Sequence, residues 1–174
     1  NNYIVTKVNP GKLQISPVAK EVIITITGHK GGEKYNGEEQ TVEGYDVSDL
    51  PSGVTKDDIA FNGSAEVKAT DAGTYQMNLS EEQFSLAGDA AKNYTNVKFK
   101  VTDGELNIGK RQVTLESEDG HKNYDGKTLQ HRTNLTVSGD GFVGNDGVLA
   151  KDKLTWYDEN NILPGTYENK FDPA

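Results

Sequence analysis

The 174-residue sequence contains no cysteine, which excludes disulfides, thiolate zinc sites and cysteine nucleophiles together. Basic residues are few as well: 18 Lys and Arg stand against 27 Asp and Glu, leaving a formal net charge of −9. A surface of that sign repels phosphate backbones and anionic membranes, so we expect neither nucleic acid nor a membrane as a partner. Because apolar residues make up only 33% of the chain, small modules with thin cores are favoured.

Long apolar runs are also missing from the sequence. The longest runs, such as residues 22–24, are far too short to cross a bilayer. No basic stretch followed by an apolar stretch opens the chain. If the parent protein is secreted, we expect its signal to lie outside this fragment.

What the sequence does contain is a long internal repeat. Asn93–Ile108 matches Asn2–Ile15 at an offset of about 93 residues, and four further blocks recur in the same order. A period of this length indicates an array of small domains, each with enough strands to close its own core. The other matched blocks are Val22–Ile26 with Val113–Ser117, Tyr35–Gly37 with Tyr124–Gly126, Lys56–Phe61 with Lys151–Trp156, and Asp71–Tyr75 with Leu163–Tyr167.

The repeated blocks have the pattern of β-strands. Apolar and polar residues alternate with period two, as in Val22–Ile26 and Val97–Val101, so one face of each strand is predicted to be buried. The Asp103-Gly104 pair lies between two such runs and predicts a two-residue hairpin. Ser80–Lys92 alone has helical signals, and a short helix or 3₁₀ turn is predicted there.

The combination of a Tyr-Asn-Gly or Tyr-Asp-Gly turn, a Gly-Thr-Tyr block and the Asn93–Ile108 segment resembles the MBG-type, or YDG-like, tandem repeats of Gram-positive cell-surface adhesins. The resemblance covers nearly the whole chain. It implies an extracellular, cell-wall-attached protein, anchored through regions outside this fragment, with β-sandwich-like or β-grasp-like modules used as adhesive or spacer units. It supplies no catalytic residue and no named ligand.

We therefore predict an all-β chain of two tandem small β-sandwich modules, Ig-like or β-grasp-like, in an elongated array. Residues 1–15 would be the closing hairpin of a preceding module, 16–108 the first module, and 109–174 a second module without its closing hairpin. The alternative phase is 1–92 and 93–174.

The first of these phases leaves an unpaired sheet edge in the second module. Its partners are then expected to be neighbouring repeat modules, or Tyr3–Ile15 of another copy, which would give head-to-tail self-association by strand donation.

Structural roles are predicted for the Tyr and Gly residues that recur in both repeats. In the turns, the ring packs while the glycine takes a left-handed conformation. The Gly-Thr-Tyr block is also typical of the corner before a late strand of an Ig-like sandwich, where a Tyr hydroxyl bonds to the backbone of a neighbouring loop. These residues are Tyr35, Gly37, Tyr75, Tyr124, Gly126 and Tyr167.

No catalytic constellation is evident, so we expect no enzyme and no cofactor. The three His residues lack the spacing of a zinc site. Acidic clusters would supply oxygen ligands for calcium, but none follows the 12-residue calcium-loop spacing, and a solvated surface is favoured. These clusters are Asp57-Asp58, Asp140–Asp146 and Asp158-Glu159.

Two functions remain open on this sequence. The favoured one is an adhesin stalk or spacer with weak adhesion of its own. The alternative is a module that binds host carbohydrate or mucin through an exposed aromatic residue. Trp156 aligns with Phe61 and is predicted to face the core, so the neighbouring Tyr157 is predicted to face solvent and stack on a sugar.

Overall fold

The computed structural model describes residues 2–147, 153–157 and 161–172. Short strands dominate its regular structure, together with the short helix α1 (Gly88–Asn93) and 3₁₀ turns at Lys56–Asp58 and Glu81–Gln83, so the all-β prediction is confirmed. The strands are β1 (Val22–Gly28), β2 (Lys30–Gly31), β3 (Gln40–Glu43), β4 (Tyr45–Ser48), β5 (Ile59–Phe61), β6 (Glu66–Ala69), β7 (Gly73–Gln76), β8 (Phe84–Leu86), β9 (Val97–Thr102), β10 (Glu105–Ile108), β11 (Val113–Ser117), β12 (Leu135–Gly139), β13 (Thr155–Trp156) and β14 (Phe171–Asp172).

The chain forms two compact units, each assembled from separate segments. The first unit comprises residues 1–30, 42–67 and 76–105, and the second comprises 31–41, 68–75 and 106–174. The strand orders are β4-β1-β9, β2-β10-β7, β3-β6, β5-β8, β11-β12 and β13-β14.

Strand β1 is the centre of the first unit. It pairs antiparallel with β4 and parallel with β9, so that Ile24 lies beside Phe99 and Ile26 beside Val101. The alternation predicted from sequence is present, because Ile24 and Ile26 are completely buried while Thr27 is exposed. Burying an isoleucine side chain contributes roughly 1.5–3 kcal/mol, so this strand anchors the core.

Aromatic rings fill the remainder of that core. Phe61 stacks on Phe84 with centroids 4.8 Å apart, and Tyr45 meets both rings edge-on at 5.2 Å. Phe99 extends the cluster from β9, 6.0 Å from Phe84. Such pairs add about 0.5–1.5 kcal/mol each beyond the burial of their area.

The short helical elements predicted within Ser80–Lys92 are confirmed. The Ser80 N–H donates to the Gln83 side-chain carbonyl at 2.9 Å, which closes a capping box at the 3₁₀ turn. Helix α1 follows after β8, with Ala90 buried against the core.

The hairpin predicted at Asp103-Gly104 is wrong. β9 pairs with β1, whereas β10 lies between β2 and β7, so the two strands belong to different sheets. Gly104 has no positive φ, and it is buried beside the Met77 sulfur and the His29 carbonyl. Asp103 accepts hydrogen bonds from the backbone N–H groups of Asn78, Leu79 and Gly104. Glycine is needed here for close packing, not for a left-handed turn.

In the second unit, β11 and β12 reproduce the pairing of β1 with β4. They are antiparallel, with Val113 opposite Gly139 and Ser117 opposite Leu135. Leu106 and Ile108 of β10 are buried, and β13 pairs with β14, so that Trp156 faces Phe171.

Residues 2–15 carry no strand and are exposed throughout. The assignment of residues 1–15 to the closing hairpin of a preceding module stays a prediction. The same holds for the module boundaries at 16–108 and 109–174.

Candidate functional site

The Tyr35 turn, residues 34–37, has the backbone that its sequence predicts. Gly37 lies at φ 82°, and the Asn36 side-chain oxygen accepts the Glu38 N–H at 2.9 Å. The Tyr35 N–H donates to the Gly109 carbonyl at 2.8 Å, which fixes the turn against the residues that follow β10.

Side chains from the β12 loop, residues 140–146, bind this turn. Lys34 Nζ donates to both carboxylate oxygens of Asp140, at 2.7 and 2.8 Å, and the Tyr35 hydroxyl donates to Asp146 at 3.1 Å. The Lys34 contact, followed by the Gln112 N–H, lowers the pKa of Asp140. The contact with Asp146 raises the pKa of Tyr35, because ionisation would put two negative charges side by side.

Arg111 completes the contact between turn and loop. Its Nε donates to the Gly141 carbonyl at 2.9 Å, and Nη1 donates to the Tyr35 carbonyl at 3.2 Å. Its Nη2 donates to the Asp140 carbonyl. One guanidinium therefore holds the backbone of both segments in a fixed orientation.

The Tyr124 turn, residues 123–126, has the same local conformation in different surroundings. Gly126 lies at φ 76°, and Asp125 accepts the Lys127 N–H at 2.9 Å. Tyr124, however, is 66% exposed. A Cβ added to Gly37 would come within 2.7 Å of Val143, whereas one added to Gly126 would meet nothing within 4 Å. The sequence motif thus determines the turn but not what lies against it.

Tyr75 and Tyr167 also have equivalent local contacts. Each hydroxyl donates to the carbonyl four residues upstream, Asp71 at 3.1 Å and Leu163 at 2.8 Å. Each ring lies over the glycine two residues earlier, where a Cβ would come within 3.2 to 3.4 Å of the ring. Both hydroxyls therefore bond to backbone, but within their own segment and not to the neighbouring loop that was predicted.

Trp156 and Tyr157 face opposite ways, as the alternation predicts. Trp156 is half-buried, and its ring centroid lies 5.0 Å from that of Phe171. Tyr157 is 42% exposed and its hydroxyl donates to Asp172 at 2.6 Å, a contact that raises the pKa of Tyr157. Lys170 Nζ lies 5.5 Å from the Tyr157 ring centroid, so its ammonium group already makes a cation–π contact with the ring.

A cleft of about 920 Å³ opens beside Tyr157. Its lining is mostly polar. The buried side-chain oxygen of Asn161 has no hydrogen-bond partner among the residues that the structure describes. An exposed aromatic ring beside polar side chains is suited to a hydroxyl-bearing ligand. The lining includes His121, Lys122, Arg132, Tyr157, Asn161 and Tyr167.

The comparison with protein families found a similarity in the first repeat. Residues 18–101 match the YDG domain family. This YDG-like segment contains the Tyr35 turn and Tyr75, whereas the Tyr124 turn, Tyr157 and Tyr167 lie outside it. Neither the comparison with curated proteins nor the comparison with solved structures found a match.

The acidic clusters considered for calcium have other partners or lie outside the described residues. Asp58 accepts from Thr55, and Asp140 and Asp146 bind the Tyr35 turn. Asp158 and Glu159 are outside the described residues. No group of three or more His, Asp or Glu suited to a metal ion occurs within the described part of the chain. No helix found there is long and apolar enough to span a membrane.

The residues that bind the Tyr35 turn were not identified as a site from sequence. Lys34 and Asp140 are 106 positions apart, and no local pattern links them. The only signal was the acidic character of Asp140–Asp146, which sequence analysis assigned to a solvated surface or to calcium.

Proposed function

We propose that this chain is a non-catalytic part of an extracellular stalk in a bacterial cell-surface adhesin, attached to the cell wall through other regions. Its two repeats would be small β-sandwich modules, Ig-like or β-grasp-like, of the MBG type. They would act as spacers with at most weak adhesion.

The observation that carries this proposal is the contact between the Tyr35 turn and the β12 loop. The turn belongs to the first sequence repeat and the loop to the second. Both segments lie in the second compact unit, which therefore combines residues of two consecutive sequence repeats. A unit shared by consecutive repeats restricts bending between them, as a stalk requires. The YDG-like match at residues 18–101 agrees with a repeat-type domain.

Small-angle scattering of the whole chain tests whether it is extended, as a spacer would be. We expect a radius of gyration well above the about 16 Å of a compact domain of this length. Lys34→Glu should broaden the distribution of distances, because it places a carboxylate against Asp140. The double variant K34E/D140K, which reverses the pair, is the matched control and should recover much of the wild-type curve. A compact wild-type particle would contradict the proposal.

A carbohydrate- or mucin-binding module is the second candidate, favoured by the cleft beside Tyr157. The cleft combines the exposed ring of Tyr157 with polar side chains, among them the amide of Gln130. Sugars are bound by stacking on such a ring and by hydrogen bonds to amides.

A glycan array decides between the two candidates. We expect no binding if the chain is only a spacer. If a glycan binds, Tyr157→Ala should abolish the signal while Tyr124→Ala, which removes an exposed tyrosine elsewhere, should leave it unchanged. Equal loss in both variants would argue against the cleft.

A further inference from the structure

Strand β11 has one edge that no strand covers within the described residues. Asp140 N–H donates to the Gln112 carbonyl, and Glu118 N–H donates to the Asn134 carbonyl. Since the bonding residues of an antiparallel pair alternate, the even-numbered positions of β11 bond to β12. The backbone groups of Val113, Leu115 and Ser117 therefore point away from it.

The equivalent edge of β1 is covered. There β9 lies parallel to β1, with Val22 beside Val97, Ile24 beside Phe99 and Thr25 beside Lys100. Ile24, the counterpart of Leu115, is completely buried under that arrangement, whereas Leu115 is only half-buried. Strand β9 contributes to this burial through Phe99, which lies beside Ile24 in the core cluster.

The sequence that would provide this cover for β11 is present at residues 2–15, which we call the N-terminal segment. It repeats Asn93–Ile108, the region of β9 and β10. It makes no strand and its apolar side chains are exposed, with Ile4 at 89% and Val8 at 76%. An exposed segment with the pattern of the strand that covers the equivalent edge of β1 is a candidate for strand addition.

We propose that the N-terminal segment of a second copy of this chain adds to the free edge of β11, parallel to it. The register of β1 with β9, transferred through the repeat, places Ile4 beside Val113, Thr6 beside Leu115 and Val8 beside Ser117. Leu13 and Ile15 are then the counterparts of Leu106 and Ile108. Both of those residues are buried.

The charges fit this register. Lys7 is the counterpart of Lys100 and falls beside Glu116, the counterpart of Thr25. Opposite charges on adjacent strands are favourable, and both side chains would stand on the solvent face. Val5 takes the position of the exposed Lys98, so that position does not require an apolar residue.

Each copy carries one donor segment and one acceptor edge, formed by different residues. The contact is therefore heterologous, and association continues into open chains as concentration rises.

Sedimentation velocity of the full chain over a hundredfold range of concentration tests the proposal. We expect species larger than the monomer that grow with concentration. Val8→Asp should abolish them, because Val8 takes the position of Val101, which packs against the core, whereas Val5→Asp should retain them. Both substitutions lie in a segment that is exposed in the single chain, so a circular-dichroism spectrum unchanged from wild type is expected for each.

A monomer at every concentration would overturn the proposal, and so would equal loss of association in V5D and V8D.

Exchanging the charges of Lys7 and Glu116 tests whether β11 is the acceptor strand. Lys7→Glu and Glu116→Lys should each weaken association several-fold at low ionic strength, and the double variant K7E/E116K should regain most of it. If the double variant is no better than the two single ones, Lys7 does not lie beside Glu116 and the register is wrong.

A labelled peptide of residues 2–15, added to full-length V8D, should bind and should fail to bind when Glu116 and Leu115 are both changed to lysine. Binding that survives those changes would place the segment elsewhere.

Discussion

At the scale of single residues, the same motif has different consequences in the two repeats. Tyr35 and Tyr124 occupy equivalent turns with equivalent glycines, yet among the described residues only Tyr35 bonds to a carboxylate. Lys34, Gln112 and Arg111 all donate hydrogen bonds to Asp140. In the sequence, nothing distinguished Asp140 from the other acidic residues near it. Contacts made by the turn, and not its own conformation, distinguish the repeats.

Removing the hydroxyl of Tyr35 should therefore lower stability more than removing that of Tyr124. In Tyr35→Phe the Asp146 carboxylate loses its donor, whereas Tyr124 is largely exposed. Urea unfolding of both variants, followed by fluorescence, measures the difference. Equal midpoints for Y35F and Y124F would show that the contact with Asp146 contributes nothing.

Acid should weaken the contact at the Tyr35 turn. The pKa of Asp140 is lowered in the folded chain, first by Lys34, so its contribution to stability is present above the unfolded pKa and is lost as pH falls through the folded value. We expect the backbone amide signal of Gln112 to shift below about pH 4. In Asp140→Asn that shift should be absent, and its persistence would assign the transition to another group.

At the scale of elements, period-two alternation predicted the strands well, because a strand that covers a core must bury every second side chain. Val22–Ile26, Val97–Val101 and Val113–Ser117 all lie in strands. The pairing of those strands was less predictable. Asp103-Gly104 has the composition of a tight turn, but packing against Met77 and His29 sends β10 to another sheet. Tertiary packing therefore overrides the turn that the local sequence predicts.

Gly104→Ala should destabilise the chain by about 1–3 kcal/mol, as overpacking does in other cores. Its Cβ would meet the Met77 sulfur and the His29 carbonyl. Gly11→Ala is the matched control, since Gly11 has the same place in the repeat and nothing lies within 4 Å of its added Cβ. That variant should stay within about 0.5 kcal/mol of wild type. Thermal unfolding of both variants gives the comparison.

Ile24→Ala should cost about 2–5 kcal/mol, the usual range for a buried isoleucine. Leu115→Ala, at the equivalent position of β11, should cost less because Leu115 is only half-buried. Denaturant unfolding at low protein concentration, where copies do not associate, measures both. A larger loss for Leu115 would mean that β11 is covered in the single chain.

At the scale of the whole molecule, the two units differ in how much apolar surface they bury. The first unit has a contiguous cluster that includes Ile24, Ile26, Phe84 and Phe99. In the described part of the second unit, Leu106 and Ile108 are buried, and the residues of β11 and β12 are half-buried or exposed. Fewer buried contacts lower the free energy of local opening.

Hydrogen exchange should therefore be faster in β11 and β12 than in β1 and β9. We expect the amides of Ile24 and Ile26 to be among the slowest, since they lie in the central strand of the first unit. Mass spectrometry of peptides from both regions, at low protein concentration, provides the measurement. Slower exchange in β11 than in β1 would contradict the difference in burial.

Three features could be predicted from the sequence alone: the all-β class, the repeated strands and turns, and the exposure of Tyr157. These depend on the alternation of side chains and on glycine conformations within a few residues. Three other features became visible only in the folded chain. Lys34 binds Asp140, β9 and β10 lie in different sheets, and the two tyrosine turns have different neighbours. Those contacts join positions far apart in the chain, and they depend on which surfaces the packed strands bring together.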